Sequence, residues 1–413
     1  MVVYVSPGIH IEELYETGPA PRETWSPECA GIEFPTIEMS GPGAAVFIGF
    51  TERIPADRDG NSLRGKPVAL TSWDQYLERF GGVVPGAHLP HAVHGYFANS
   101  GRKSYIVSLR TADEAGPRSL EDRLAEFSGE ADRRTGLAGL ESLDDVSLIC
   151  GPDLMTGLGP DHMEANAVRA CQEAMISFSE LKRCMAILDA PRGLTPDDVR
   201  QWRQEAIRES SYAALYYPWI YVGAQSPDAQ LVPPCGHVAG AYMRASETRG
   251  AHSAPANESL TAATDLESRI TQREQDVLNP LGINVLRATS DGAIRIWGAR
   301  TLAKDARLRL VQVRRFLNTV EHSVERGLEW ALFRKDDATL RRQIGCAVQE
   351  FLTRLWQSGA LIGTAQQDAF YIKDDSEDDP RPYPAIEIGM ALAKAGQILG
   401  DSCRVRFRAG WRR

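Results

Sequence analysis

The sequence predicts an α/β (α+β) chain of more than one domain, with strand-forming arms at both ends. Three observations carry this. Short apolar runs alternate with helix-period segments between residues 44 and 209, the order expected of helices packed on a sheet. With 413 residues, 43% of them hydrophobic and 24% charged, the chain can bury two or three cores. Both termini alternate apolar and polar residues with no domain's worth of sequence around them.

The first segment, residues 1–20, is read as an arm. Val2, Val3, Tyr4 and Val5 are β-prone, and beyond Pro7-Gly8 the residues Ile9 and Ile11 alternate with His10 and Glu12. Residues 14–43 are rich in Pro and Gly and read as a linker with too little pattern to contribute a core. Ala44 to Phe50 fits a buried strand, and Ser72 is placed to cap a helix through Tyr76, Leu77 and Phe80. A helix from Pro90 to Asn99 and a strand from Ser104 to Leu109 follow. Residues 111–140 are charged and poor in large apolar residues, which predicts a surface excursion between ordered stretches at 44–110 and 140–278. Val146 to Cys150 and Met185 to Leu188 read as strands alternating with helices at 161–181 and 196–209.

Tyr216 to Val222 is expected to be one buried strand interrupted by Pro218, and residues 258–278 a polar helix ended by Asn279-Pro280. A second domain is expected over 279–400. Its strands fall at Ile283 to Leu286 and Ile294 to Trp297. Its helices carry apolar stripes, Leu310, Val313, Leu317, Val320, Val324 and Leu328 on one, Leu340, Ile344, Val348, Phe351 and Leu355 on the other. Residues 401–413 form the C-terminal arm, in which Val405 and Phe407 can face a packed layer. Arg404, Arg406 and Arg408 then face solvent or a neighbour's acids.

Composition excludes several functions. A formal charge of −9 argues against nucleic acid as a partner, which needs a concentrated basic surface. No apolar run approaches the ~20 residues of a membrane span. The N-terminus has neither a basic leader nor a signal core with a cleavage site. Cytoplasmic synthesis without a signal peptide or direct membrane insertion is therefore expected. Seven cysteines at irregular spacing (29, 150, 171, 184, 235, 346 and 403) read as reduced thiols, with no zinc site.

Enzyme-like motifs are few. Gly60 to Lys66 matches the first seven positions of a phosphate-binding loop, but Pro67 stands where a magnesium-binding Ser or Thr should open a helix. His88, His91 and His94 invite a metal reading, yet His88 precedes Pro90 and no Glu completes a zinc-protease pattern. The acids between Asp374 and Asp379 lack calcium-loop spacing, and Asp144-Asp145 and Asp197-Asp198 sit where helix capping explains them. No nucleophile elbow is present. The expectation is no catalytic residue, no cofactor and no metal. The competing readings are a soluble nucleotide-dependent enzyme using the Gly60 loop and a static self-assembling shell protein.

Ordered across nearly the whole chain, a set of segments resembles the contractile tail sheath family of phages and related injection systems. They are Tyr4 to Glu13, Thr71-Ser72-Trp73, Phe80-Gly81-Gly82, His94 to Gly101, Ser211 to Ile220, Val232 to Gly240 and Ala254 to Asn257. Leu278 to Val285, Trp297 to Leu302 and Val313-Arg314-Arg315 complete the series. Two stretches depart from the family pattern, Arg334 to Asp337 and Ala391 to Ile398. The resemblance implies a sheath subunit with an outer α/β domain (21–278), an inner, tube-facing C-terminal α/β domain (279–400) and strand arms. It further implies hexameric rings stacked helically around an inner tube, arms exchanged between neighbours, and contraction without a cofactor. Implied partners are other copies of the chain, the tube protein, and baseplate and terminal cap proteins. Lys394 and Gln397 are the implied tube-facing residues. The finished particle would be cytoplasmic, or extracellular after cell lysis. A lone strand leaves its backbone groups unpaired, and adding it to another subunit's sheet edge satisfies them.

Overall fold

A computed structural model describes residues 7–14, 25–114, 119–156, 162–223, 229–335, 337–374, 385–392 and 403–411. In chain order its strands begin with β1 (Pro7–Leu14), β2 (Ala44–Thr51), β3 (Pro67–Leu70), β4 (Ser104–Thr111) and β5 (Val146–Cys150). There follow β6 (Met185–Asp189), β7 (Ala213–Tyr217), β8 (Ile220–Val222), β9 (Gln230–Val232) and β10 (Ala263–Leu266). The last are β11 (Ile283–Ala288), β12 (Ile294–Ile296), β13 (Phe370–Asp374), β14 (Ala385–Met390) and β15 (Cys403–Trp411). The helices are α1 (Trp73–Phe80), α2 (Leu89–Ala98), α3 (Leu120–Ser128), α4 (His162–Lys182) and α5 (Pro196–Ala206). Next come α6 (Cys235–Arg249), α7 (Gln272–Leu278), α8 (Val311–Gly327), α9 (Ala338–Gln357) and α10 (Gln366–Ala369). No described helix is long and apolar enough to cross a membrane.

The chain divides into two compact units, residues 42–315 and a unit made of 1–41 with 316–413. The 42–315 unit holds an eight-stranded sheet in the order β12-β11-β7-β6-β5-β2-β4-β3. The strands from β4 to β11 run parallel, with β3 and β12 antiparallel at the edges. Parallel strands must be covered on both faces, and β2 carries the pattern for it. Its Ala44, Val46, Ile48 and Phe50 enter one core with residues of α3, α4 and α5, while Ala45 and Phe47 enter another with α1, α2 and α6. Ser72 caps α1 as expected, its hydroxyl accepting from the Gln75 N–H at 3.3 Å.

Several sequence expectations change here. Tyr216 to Val222 is two strands in different sheets, because the chain leaves β7 at the cis Tyr217–Pro218 bond and β8 joins β9 and β10. The polar helix expected over 258–278 is strand β10 followed by the short α7, whose start is set by a Thr271–Glu274 capping box. The excursion at 111–140 contributes Phe127, Leu137 and Leu140 to the core, so sparse apolar residues still anchor it. The break expected at 279 falls inside a unit, since β11 pairs in parallel with β7 and the units part at 315/316.

The other unit is built on a four-stranded antiparallel sheet, β1-β15-β14-β13, with α9 and most of α8. Residues 25–41, expected to be a bare linker, contribute to it. Ile37 is fully buried, and Cys29 forms a disulfide with Cys346 across a Cα–Cα distance of 5.6 Å. The reading of all cysteines as reduced thiols is thus corrected for this pair, which is separated by 317 residues and invisible to spacing arguments. Cys150, Cys171, Cys184 and Cys235 are free and buried.

Candidate functional site: the paired terminal strands

The first and last described strands pair with each other. β1 lies antiparallel to β15 over its full length, from Pro7 opposite Trp411 to Leu14 opposite Arg404. β15 pairs on its other side with β14, so the C-terminal strand is central and the N-terminal strand is an edge. Alternation then assigns faces. Ile9, Val405, Phe407, Ile386 and Ile388 are buried, with Phe407 between Ile11 on β1 and Ile386 on β14 in the register.

The opposite face is charged. Arg406 stands between two acids, 3.7 Å from Glu12 on β1 and 3.4 Å from Glu387 on β14. Glu387 is only 5% exposed and also accepts from the Tyr371 hydroxyl at 2.8 Å, and together burial and this bond push the Tyr371 pKa up. Arg406 therefore neutralises a carboxylate that the sheet has taken out of water, and it does so through a strand at the chain terminus. The register sets Arg404 opposite Leu14 and Arg408 opposite His10. Of the arm residues anticipated from sequence, Ile9, Ile11, Arg404, Val405, Arg406, Phe407 and Arg408 are brought into one sheet. Val2, Val3, Tyr4, Val5, Lys394 and Gln397 lie outside the described residues.

The other anticipated positions organise differently. The Gly60 loop runs into strand β3 through Pro67 and not into a helix, and Asp57 holds it by accepting from the Asn61 N–H at 2.8 Å. His88 is the residue before α2, and His91 and His94 lie on that helix. Burial lowers the pKa of His88 and of His91 to about 4. Among the described residues, no group of three or more His, Cys, Asp or Glu is arranged to hold a metal ion.

Sequence reasoning missed Asp153. Its carboxylate accepts from the backbone N–H groups of Phe50 (2.7 Å), His88 (2.5 Å) and Leu89 (3.2 Å), and from the Thr156 hydroxyl at 3.0 Å. Burial pushes its pKa up to about 6. It borders a small recess that Arg110, Arg123, Glu126 and Cys171 also line. Arg110 is ion-paired there with Glu126 at 2.8 Å and stacks on Phe50.

Comparison with known proteins agrees with the ordered motifs. Residues 137–302 match the phage tail sheath protein central domain family. The chain is 26% identical over 210 residues to the tail sheath protein of Salmonella phage ViI, covering 46% of this chain and 32% of that protein. It is 24% identical over 327 residues to a putative prophage major tail sheath protein of Pseudomonas aeruginosa (strain UCBPP-PA14), covering 77% and 80% of the two chains. Its fold superimposes on the helical sheath of the anti-feeding prophage in its contracted state with a TM-score of 0.69 and 25% identity, over 92% of this chain and 97% of that one. The chain spans about a third of the ViI relative and most of the other two. These likenesses define a sheath-type α/β subunit with its termini in a separate sheet. The family model, the relatives and the solved sheath all point to the contractile tail sheath family, to whose members this chain is similar along most of its length.

Proposed function

We propose that this chain is a structural sheath subunit of a contractile, phage-tail-like injection system. It polymerises as stacked hexameric rings around an inner tube and contracts to drive that tube through a target envelope. It works without catalysis or cofactor, and its partners are other copies of itself, the tube protein, a baseplate and a terminal cap. Lys394 and Gln397 are its candidate tube contacts, and Val2 to Val5 extend the exchanged N-terminal arm.

One observation carries the reading. β1 and β15 complete one sheet from opposite ends of the sequence, each joined to its body by ten residues, 15–24 and 393–402. Ten residues of chain reach at most about 35 Å. That length allows the same register to be formed with a strand from an adjacent copy, as in domain swapping. Rigid subunits joined by such straps have two packings available, which is the bistability contraction needs. The likeness to a sheath in its contracted state supports the same conclusion.

The test places a disulfide in the strand pair. Gly8 and Gly410 are register partners, so Gly8→Cys with Gly410→Cys is oxidised in assembled polymer and run on a denaturing gel. Exchange predicts a ladder of covalent multimers, absent from either single variant. Cross-linked monomer alone means that each chain keeps its own arms. Deleting Val2 to Glu12 should then abolish tubes by electron microscopy, and unimpaired tubes would count against the exchange.

A further inference from the structure

Residues 25–41 form a strap along α9. The Trp25 N–H donates to the Ile372 carbonyl at 2.7 Å, and the Trp25 ring packs on Gly345, where a side chain would collide with it. Gln343 donates to the Glu33 carbonyl at 2.8 Å, Arg354 donates to the Ile37 carbonyl, and buried Ile37 packs on Gly327 of α8. Between these contacts sits the Cys29–Cys346 bond, one sulfur on the strap and one on the helix. Cys346 is fully buried and Cys29 is partly exposed.

Chain connectivity gives this bond a mechanical consequence. Residues 30–345 lie between the two sulfurs, and they include the whole 42–315 unit. We propose that Cys29–Cys346 is a redox-set mechanical shunt between the two terminal strands. With the bond closed, tension entering at β1 crosses at residue 29 into α9 and leaves through β15. The inserted α/β unit is then outside the load path. With the bond open, the same tension runs through every residue between the two ends.

The chemistry is thiol–disulfide exchange with a small-molecule disulfide such as oxidised glutathione. The Cys29 thiolate attacks one sulfur of that disulfide and releases one glutathione thiolate. The Cys346 thiolate then displaces the second and closes the protein bond. One S–S bond breaks and one forms, the protein dithiol is oxidised, and its two protons pass to the two glutathione thiols. The strap contacts at Trp25, Glu33 and Ile37 do not involve the sulfurs and so do not require the bond, and Cys29 is the partly exposed partner that a small reagent meets first. Only the source of the tension rests on the sheath reading. The shunt belongs to the single chain.

The full chain held by its two ends in a single-molecule force instrument tests it. In oxidised glutathione only residues 1–29 and 346–413 can extend, about 34 nm at ~3.5 Å per residue, against about 145 nm for all 413 residues after reduction. Cys29→Ser should extend fully in both buffers. Trypsin should yield peptide 23–53 joined to peptide 343–354 from the oxidised native chain, and the two separate from native chain kept in reduced glutathione. Full extension under oxidising conditions overturns the shunt, and a bond that reduced glutathione opens only after denaturation overturns its redox setting. Neither outcome touches polymerisation, which the strand cross-link reports separately.

Discussion

Substituting Gly236 with alanine tests the packing of the 42–315 unit most sharply. Glycine in a helix interior normally costs about 1 kcal/mol relative to alanine, so propensity alone says Gly236→Ala should stabilise α6. Packing says the reverse. A Cβ added at Gly236 would lie 2.5 Å from the carbonyl carbon of Ala92, and one at Gly240 would lie 2.5 Å from the Tyr96 carbonyl oxygen and 2.6 Å from the Asn99 Cβ. The obstacles lie on α2 and on Asn99 at its end and are backbone or Cβ atoms, so no rotamer change relieves them. Normal contact is about 3.5–4.0 Å, and the two helices must separate by about 1 Å or more. A clash this close against backbone belongs at the upper end of the ~1–3 kcal/mol typical of overpacking, which leaves a net loss of about 2 kcal/mol after the propensity gain. The midpoint of thermal unfolding should fall by about 5 °C for a unit of this size. Gly240→Ala should cost a similar amount. The double variant should cost clearly less than the sum, because one widening of the α2–α6 gap accommodates both methyl groups. Urea titrations followed by tryptophan fluorescence give all three values. A stabilised Gly236→Ala, or additive losses in the double variant, would refute the close helix approach.

Two further outcomes follow from buried side chains. Phe407→Ala removes a side chain that is 3% exposed from the sheet of termini and should cost about 3–5 kcal/mol of that unit's stability, read as faster proteolysis of the C-terminal strand. Asp189 is buried beside the Cys235 N–H, and burial raises its pKa to about 7. The folded form therefore holds a proton that the unfolded chain has released, and this contribution is complete below an ordinary carboxyl pKa of 3.8 and lost as pH rises through about 7. Asp189→Asn, which cannot ionise, should gain stability relative to the parent between pH 4 and pH 8. Parallel pH curves would show that Asp189 is not the group responsible.

Local patterning made most of the parallel sheet legible. β2, β4, β5 and β6 are rich in apolar residues on both faces because both faces are covered, and α2, α4, α5, α8 and α9 fall where periodicity and capping set them. The errors share a cause. Residues 258–278 have helical composition, but β10 is fixed by pairing with β8, which lies more than forty residues earlier. Residues 25–41 lack pattern because the strap is held by scattered contacts at Trp25, Cys29 and Ile37. Motif residues that carried the family resemblance gain their reasons only in three dimensions. Fully buried Asn284 accepts from the Arg300 N–H at 2.7 Å and donates to the Leu215 and Arg300 carbonyls, pinning the 297–302 segment to the sheet. Gly298 is needed beside it, since a Cβ there would come within 2.8 Å of the Asn284 amide oxygen. Gly95, Gly236 and Gly240 belong to the α2–α6 contact. These blocks read as a signature because they are packing constraints.

The sheet itself bears on whether the chain is an enzyme. Within it the order β4-β2-β5-β6-β7 is that of a flavodoxin-like doubly wound fold, whose ligands bind at the carboxyl ends of the strands where the winding reverses. Here that point lies between β2 and β5, next to the N-terminus of α2, where backbone N–H groups would receive a phosphate. Asp153, three residues beyond β5, puts its carboxylate on those same N–H groups and on that of Phe50. The anion that the topology invites is supplied by the chain. A nucleotide would have to displace a buried carboxylate holding four hydrogen bonds, and the Gly60 loop offers no helix N-terminus in exchange. With these N–H groups already taken by Asp153, the crevice offers a nucleotide phosphate no free helix N-terminus, which favours the sheath reading over the nucleotide-dependent one.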